Sequence, residues 1–261
     1  MPTVAAPETV GGSFRKWETL MIHYHGMAGA GVANDVLRLA TGRHVFVSYA
    51  YPGAISMVSK VCNTFALDSG AYSAWTNGKP MDYAGFVEFT HKWHRHPAFD
   101  WSVIPDIIDG VEEQNDEWIR DWPNALPGVP VWHLHESLDR LDRLTSEFRV
   151  VALGSSGTYS QPGSQGWWRR MGEAMDVICE DGQPKCKLHG LRMLDPNIFT
   201  RLPLSSADST NAEFNGMFDG PYVPPTRGQR SAVIAWRVEN NQSAETWVPD
   251  SQMEMAFNLQ G

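Results

Sequence analysis

Two aspartates that follow short strand-like runs are the residues best suited to chemistry in this sequence. Asp68 follows the apolar run 65–67, and Asp208 follows the small-residue run 204–207. Catalytic groups of (β/α) barrels stand at the carboxyl ends of their strands. Two carboxylates on one barrel face can divide the work at a sugar carbon, because one can attack C1′ while the other transfers a proton. This pair is the main indication that the chain is an enzyme.

Short runs of branched and aromatic residues alternate with helical patterns along the chain. The predicted strands are 20–24, 44–49, 64–67, 101–104, 129–134, 149–153, 187–193 and 202–207. The predicted helices include 29–39, 81–93, 112–122, 137–148 and 167–179. Strands that alternate with helices indicate a parallel sheet, and this number of strands favours a closed TIM-type (β/α)8 barrel over an open doubly wound sheet.

The length of 261 residues is typical of one barrel domain. We expect a loose N-terminal tail at 1–16, the barrel at 17–237 and a polar C-terminal appendage at 238–261. Three cysteines do not make a disulfide framework. We also see no signal-peptide core and no apolar run that would span a membrane, so we expect a cytoplasmic protein.

The formal net charge of −9 argues against simple electrostatic binding to nucleic acid, because such binders are usually basic. The charge is uneven, however. Between residues 185 and 237, seven basic residues outnumber four acidic ones. This excess indicates either a local basic surface or charges scattered in solvent.

The ends of the predicted strands form a polar rim that is rich in carboxylates and imidazoles. Its members are His23, His25, Ser48, Tyr49, Asp68, Ser69, Asp106, His133, His135, Gly154, Ser155, His189 and Asp208. The small residues after Asp68 would let a flat ligand approach the backbone, and Tyr72 could stack on it. Asp106 could accept hydrogen bonds from a ring N–H and an exocyclic amine. Plain turns and helix N-caps remain the alternatives at these positions.

The order of these motifs resembles that of the tRNA-guanine transglycosylase superfamily, and most closely its phage branch, the DNA 7-deazaguanine transglycosylases. The run 68–72, Asp-Ser-Gly-Ala-Tyr, resembles the family motif Asp-Ser-Gly-Gly-Phe/Tyr, which carries the proton-transferring aspartate. The other positions that resemble family motifs are Asp106 at the guanine-edge aspartate, His133 where the family usually has Gln, Gly154 and His189 at strand ends, and Asp208 at the nucleophile. The resemblance covers roughly residues 20–215.

The resemblance implies a base exchange in double-stranded phage DNA, carried out in the host cytoplasm. Asp208 would attack C1′ of a flipped deoxyguanosine, and guanine would leave from a covalent aspartyl-glycosyl intermediate. A free 7-deazaguanine such as 7-cyano-7-deazaguanine would then attack C1′ and give its N9 proton to Asp68. The implied base-binding residues are Ser69, Gly70, Tyr72, Asp106, His133, Gly154, Ser155 and His189. No cofactor is implied, and the acidic net charge suggests a helper protein.

Two departures from the family pattern bear on the substrate. The tRNA enzymes carry a Cys-x-Cys-x-x-Cys…His zinc site after the nucleophile, whereas no cysteine follows Cys186 here. We therefore expect no zinc site and favour DNA, with a tRNA-directed transglycosylase as an alternative. His133 in place of Gln leaves the base selectivity open.

Two other function classes also fit parts of the pattern. A metal-dependent, amidohydrolase-like barrel would use His23, His25, His133 and His135 as ligands and Asp208 to activate water. A binding module without catalysis would need the base pocket but not both aspartates.

Overall fold

The computed structural model describes residues 20–27, 33–216 and 226–249. The strands are β1 (Ile22–Met27), β2 (His44–Ser48), β3 (Thr64–Asp68), β4 (Phe99–Val103), β5 (Gly128–Val129), β6 (Val131–His133), β7 (Val150–Gly154), β8 (Cys179–Glu180), β9 (Gln183–Pro184), β10 (Lys187–Gly190) and β11 (Ser206–Ser209). The helices are α1 (Ala33–Ala40), α2 (Ile55–Val58), α3 (Ala71–Thr76), α4 (Tyr83–Trp93), α5 (Glu112–Asp121), α6 (Leu138–Glu147), α7 (Gln165–Ile178), α8 (Pro196–Phe199), α9 (Asn211–Asn215) and α10 (Arg227–Glu239).

The main sheet is parallel and has the strand order β5-β4-β3-β2-β1-β11-β10-β7-β6. Its two outermost strands, β5 and β6, are separated in the chain by Pro130 alone. Val129 pairs with Val103 on one side, and Val131 pairs with Ala152 on the other. Pro130 has no backbone N–H to leave unpaired where the chain changes partner, and its carbonyl accepts from the N–H of Ala152 at 2.9 Å. One continuous segment therefore closes the barrel.

The predicted (β/α)8 barrel is confirmed, and the observed strands overlap each of the predicted ones. The predicted strand 129–134 is interrupted at Pro130, and the predicted strand 202–207 becomes regular only at Ser206. The predicted tail at 1–16 lies outside the described residues, as do residues 29–32 of the first predicted helix.

Alternation along each strand separates the interior of the barrel from the layer under the helices. The interior cluster consists of Tyr24, Phe46, Ala66, Val103, Val129, Val131 and Ala152. Residues of the opposite parity pack beneath the helices: Val45 and Val47 of β2 do so on one side, and Leu188 and Ala207 on the other.

The last described segment packs on the barrel rather than projecting from it. Helix α10 continues to Glu239, and the Trp247 side chain is buried. The Trp247 indole N–H donates to Asp176 of α7 at 2.8 Å, and its backbone N–H donates to the Gly182 carbonyl at 2.7 Å. Within the ranges that the structure describes, no helix has the length and apolar character needed to cross a membrane.

Candidate active site

Asp68 and Asp208 both occupy the inward-facing parity at the C-terminal end of the barrel. Asp68 stands two residues beyond Ala66, a member of the interior cluster, and ends β3. Asp208 lies in β11 next to Ala207, whose side chain faces the helices. Because side chains alternate along a strand, both carboxylates project toward the mouth of the barrel.

Electrostatic coupling shows that the carboxylates at the mouth lie near one another. Burial is the largest cause of a pKa of about 6 for Asp68, and the negative charges of Asp208 and Asp106 contribute to the same increase. Hydrogen bonds from the Ser48 hydroxyl and the Gly70 backbone oppose this increase in pKa. A carboxyl group with such a pKa can both hold and release a proton near neutral pH.

Asp208 is held in a fixed orientation through one of its two oxygens. Its Oδ1 accepts from the backbone N–H of Arg192 at 3.0 Å and lies 3.3 Å from Nε2 of His189. No hydrogen bond among the described residues involves Oδ2. The Asp208 side chain is largely buried. Because Oδ1 has both of these partners, Oδ2 is the oxygen that a ligand at the mouth could contact.

His189 supports Asp208 from below. The ring is fully buried, and its Nδ1 lies 2.8 Å from the Ser206 hydroxyl. Its centroid lies 4.7 Å from that of Trp101 and 5.5 Å from that of Phe46, in edge-to-face and tilted contacts. The sequence predicted His189 as a base-binding residue, and the structure places its ring between Ser206 and Asp208 Oδ1.

Asp106 and His133 form a buried pair on the opposite side of the mouth. Asp106 Oδ2 lies 2.6 Å from His133 Nε2. Burial lowers the pKa of His133, but the hydrogen bond and the negative charge of Asp106 outweigh it, so the net shift is upward. The hydrogen bond fixes one Asp106 oxygen.

A network that the sequence did not reveal anchors this pair. The Glu136 carboxylate accepts from the His133 backbone N–H at 2.8 Å, from Asn115 Nδ2 at 2.9 Å and from Arg140 Nη1 at 2.6 Å. Asn115 Oδ1 in turn accepts from the backbone N–H of Ile107, next to Asp106, at 2.8 Å. The loops that follow β4 and β6 are thus fixed to each other.

Gly154 is required by the close approach of His133. A Cβ atom at Gly154 would lie 2.5 Å from His133 Nδ1, well inside van der Waals contact. The hydroxyl of Ser155 accepts from the indole N–H of Trp167 at 2.9 Å, so this side chain contacts α7. His135 stacks on His133 and lies 2.8 Å from the Ser156 hydroxyl.

The turn after Asp68 has the shape that its small residues predict. Gly70 has a φ of +78°, and a Cβ atom there would lie 2.9 Å from the backbone nitrogen of Ala50. Ser69 is buried, and its hydroxyl accepts from the backbone N–H of Ala71 at 3.3 Å. Tyr72 is 46% exposed, and the Arg192 guanidinium lies 4.8 Å from its ring centroid.

The histidines of β1 face away from the mouth. His23 Nε2 lies 2.9 Å from the Asn241 carbonyl, and His25 Nε2 lies 2.9 Å from Glu239 Oε1. Across residues 20–27, 33–216 and 226–249, no group of three or more His, Cys, Asp or Glu side chains is arranged to hold a metal ion. The metal-dependent alternative therefore lacks its first two ligands.

Two surface clefts lie beside α7 rather than at the mouth. They measure about 590 and 730 Å³, and Trp168 contributes to both. Neither is lined by Asp68, Asp106 or Asp208. Convergent carboxylates and a raised pKa are stronger marks of a reactive site than cleft volume, so the mouth is the better candidate.

Comparisons with known proteins identify the fold only. No family model matches this chain, and no curated protein matches it by sequence. A chain named as a fructose-1,6-biphosphate aldolase from Coccidioides immitis is similar with a TM-score of 0.52 at 12% identity, over 85% of this chain and 88% of that one. The YdjI aldolase from Escherichia coli K12 has a TM-score of 0.48 at 11% identity, over 85% and 90%. The first of these shares the barrel fold with this chain, and function must be argued from the site.

Proposed function

We propose that this protein is a DNA guanine transglycosylase that replaces guanine with a free 7-deazaguanine, such as 7-cyano-7-deazaguanine. The observation that carries the proposal is the coupled pair at the mouth: Asp208 is oriented through one oxygen, and Asp68 has a pKa near 6. The sequence motifs that resemble the transglycosylases fall at this same mouth.

In the first half of the reaction, Asp208 acts as the nucleophile. Its Oδ2 forms a bond to C1′ of the deoxyribose, the C1′–N9 bond breaks, and the electron pair leaves with guanine. Asp68 in its protonated form donates a proton to the departing base. The retained negative charge of a buried carboxylate suits attack on a carbon that becomes positively charged in the transition state.

In the second half, N9 of the incoming 7-deazaguanine attacks C1′, the aspartyl ester breaks, and Asp68 accepts the N9 proton. Esterification removes the negative charge of Asp208, which is one cause of the raised pKa of Asp68. The pKa of Asp68 therefore falls once the intermediate forms. Asp68 is then more readily ionised, which it must be in order to accept the N9 proton of the incoming base.

Asp106 is suited to read the base edge. His133 occupies one of its oxygens at 2.6 Å, so the other can accept from a ring N–H and an exocyclic amine. We expect His133 to act through Asp106, since the side chain of His133 is itself buried. Gly154 lets His133 approach closely, because a Cβ atom there would lie 2.5 Å from His133 Nδ1.

The proposal is tested by incubating the protein with duplex DNA and 7-cyano-7-deazaguanine, then digesting the DNA to nucleosides for mass spectrometry. We expect the 7-cyano-7-deaza-2′-deoxyguanosine product with the wild type. Asp208→Asn should reduce it by about four orders of magnitude, and Asp68→Asn by about 100-fold or more. Asp121→Asn, an exposed aspartate at the end of α5, is the matched control and should keep full activity.

Parallel reactions decide between the substrates. Product in tRNA alone would favour the tRNA-directed alternative. Product in neither polymer, with an active control enzyme and with cell extract added to supply a helper protein, would reject base exchange. A DNA–protein adduct on a denaturing gel, formed without the free base and absent in Asp208→Asn, would identify the covalent intermediate directly.

A further inference from the structure

Arg192 connects the two sides of the barrel mouth. It follows β10, and its backbone N–H donates to Asp208 Oδ1 at 3.0 Å. Its guanidinium reaches the ring of Tyr72, which belongs to α3 on the Asp68 side of the mouth, at 4.8 Å from the centroid. One residue thus contacts both the nucleophile candidate and the aromatic ring proposed to stack on the base.

The backbone of Arg192 has an unusual conformation for its residue type. Its φ of +60° lies in the left-handed region, which residues with a side chain seldom adopt. Such a conformation persists where the surroundings require it, and it recurs at functional sites. Here it lets the N–H point at Asp208 while the side chain extends over the mouth.

The charge of Arg192 is not neutralised by the protein. The side chain is exposed, and among the described residues no carboxylate forms an ion pair with it, although three carboxylates lie at the mouth. An exposed cation–π contact is weaker than paired hydrogen bonds from a guanidinium to an anion. An anionic ligand that reaches this position can therefore draw the guanidinium away from the Tyr72 ring.

We propose that Arg192 binds the backbone phosphate of the nucleotide whose sugar reaches Asp208, and that this movement uncovers the Tyr72 ring for the base. This inference rests on the proposed function, since it assigns a role to a residue of that site. Arginine suits the role because its planar fork matches the oxygens of a phosphodiester. In a protein of net charge −9, a cation placed beside the nucleophile would supply local attraction that the body of the molecule lacks.

The test uses Arg192→Gln, which removes the charge, Arg192→Lys, which keeps it, and Arg192→Gly, which suits the positive φ if the Gln variant folds poorly. Arg237→Gln, an exposed arginine near the end of α10, is the matched control. Two quantities are measured for each: kcat/KM for duplex DNA across a salt series, and the affinity for free 7-cyano-7-deazaguanine without DNA.

We expect Arg192→Gln and Arg192→Gly to lower kcat/KM for DNA by about 10-fold or more and to reduce the salt-dependence slope by about one. Their affinity for the free base should stay equal or increase, because the ring is uncovered. Arg192→Lys should keep the slope, and Arg237→Gln should match the wild type.

Two results would overturn the inference while the proposed function stands. In one, the wild type exchanges bases and the uncharged variants keep its kcat/KM and salt slope. In the other, these variants lose affinity for DNA and free base alike, which would indicate a purely structural role. A wild type that exchanges bases in no nucleic acid would instead reject the proposed function, and this inference with it.

Discussion

Asp68 and Asp208 have the same side chain but different surroundings, and the surroundings set what each can do. Asp208 is contacted by a backbone N–H and an imidazole at a single oxygen, which would orient it for attack in the proposed reaction. Burial removes water from the Asp68 carboxyl group, and the negative charges of Asp208 and Asp106 add to this effect, so its pKa rises to about 6. Environments that differ in this way are how paired carboxylates acquire separate acid–base and nucleophilic roles.

The raised pKa of Asp68 predicts a pH-dependent cost in stability. The folded state favours the protonated form, so its contribution to stability is present below pH 4 and is lost as the pH rises through about 6. Asp68→Asn is neutral throughout and escapes this loss. We expect the free energy of unfolding of the variant at pH 8 to exceed that of the wild type by about 1 to 2 kcal/mol, a figure reduced from the full linkage value because Asp68 is partly exposed.

Urea denaturation at pH 4 and pH 8 measures this difference directly. The advantage of Asp68→Asn should be small or absent at pH 4, where the wild-type carboxyl group is largely protonated. A difference of the same size at both pH values would contradict the prediction, because it would then have no origin in ionisation.

The same group predicts how the exchange depends on pH. In the proposed reaction, Asp68 of the free enzyme donates a proton to the leaving guanine, so kcat/KM for DNA should fall as the pH rises above about 6. Steady-state rates from pH 5 to pH 8.5 at constant ionic strength check this expectation. A flat profile would mean that Asp68 does not supply the proton in a step that limits kcat/KM.

At the scale of elements, local signals predicted the strands well, but not the partners of their loops. Apolar runs that end at glycine or aspartate coincide with the barrel strands, and the Gly70 turn follows from its small residues. The bond from His133 to Asp106 and the contact of Arg192 with Tyr72 join residues far apart in sequence. No periodicity encodes such contacts, so they required the three-dimensional structure.

The sequence analysis also predicted that some polar residues lie at the barrel mouth only because they stand at the end of a predicted strand. Ser155 stands at a strand end, yet its hydroxyl serves Trp167 of the helix layer. His23 and His25 also lie at the end of a predicted strand, but their parity turns them toward α10 and the segment after it. A shift of one residue along a strand moves a side chain to the opposite face of the sheet, and the sequence alone did not show which residues of β1 face the barrel interior.

The contact between β6 and β7 provides a prediction at this scale. Gly154→Ala would place a methyl group 2.5 Å from His133 Nδ1 and force the imidazole away from Asp106. We expect a loss of about 1 to 3 kcal/mol in the free energy of unfolding, measured by urea titration. Gly166→Ala, where no atom lies within 4 Å of the added Cβ in α7, is the matched control and should be neutral or stabilising by about 0.5 to 1 kcal/mol.

At the scale of the whole molecule, the buried Trp247 packs at a distance from the candidate active site. Trp247 is buried, beside α7 and the β8–β9 hairpin, away from the three carboxylates. Trp247→Ala should lower the free energy of unfolding by about 2 to 4 kcal/mol through lost packing and a lost hydrogen bond. The exchange rate per folded molecule should be unchanged. Trp236→Ala, at a position 59% exposed on α10, should alter stability by no more than about 0.5 kcal/mol.

The chain's passage through Pro130 has a consequence for how the molecule opens. Val129 before Pro130 pairs with β4, and Val131 after it pairs with β7. The barrel is therefore closed at this point by strands that form only a few hydrogen bonds. We expect the first local opening of the barrel to separate β5 and β6 from their neighbouring strands. Deuterium should then enter the amides of Ile104 and Ala152, which bond to Val129 and Pro130, before it enters those between β1 and β2. Because β6 ends at His133, which contacts Asp106, the earliest opening would disturb the Asp106 side of the mouth while leaving the Asp208 side intact.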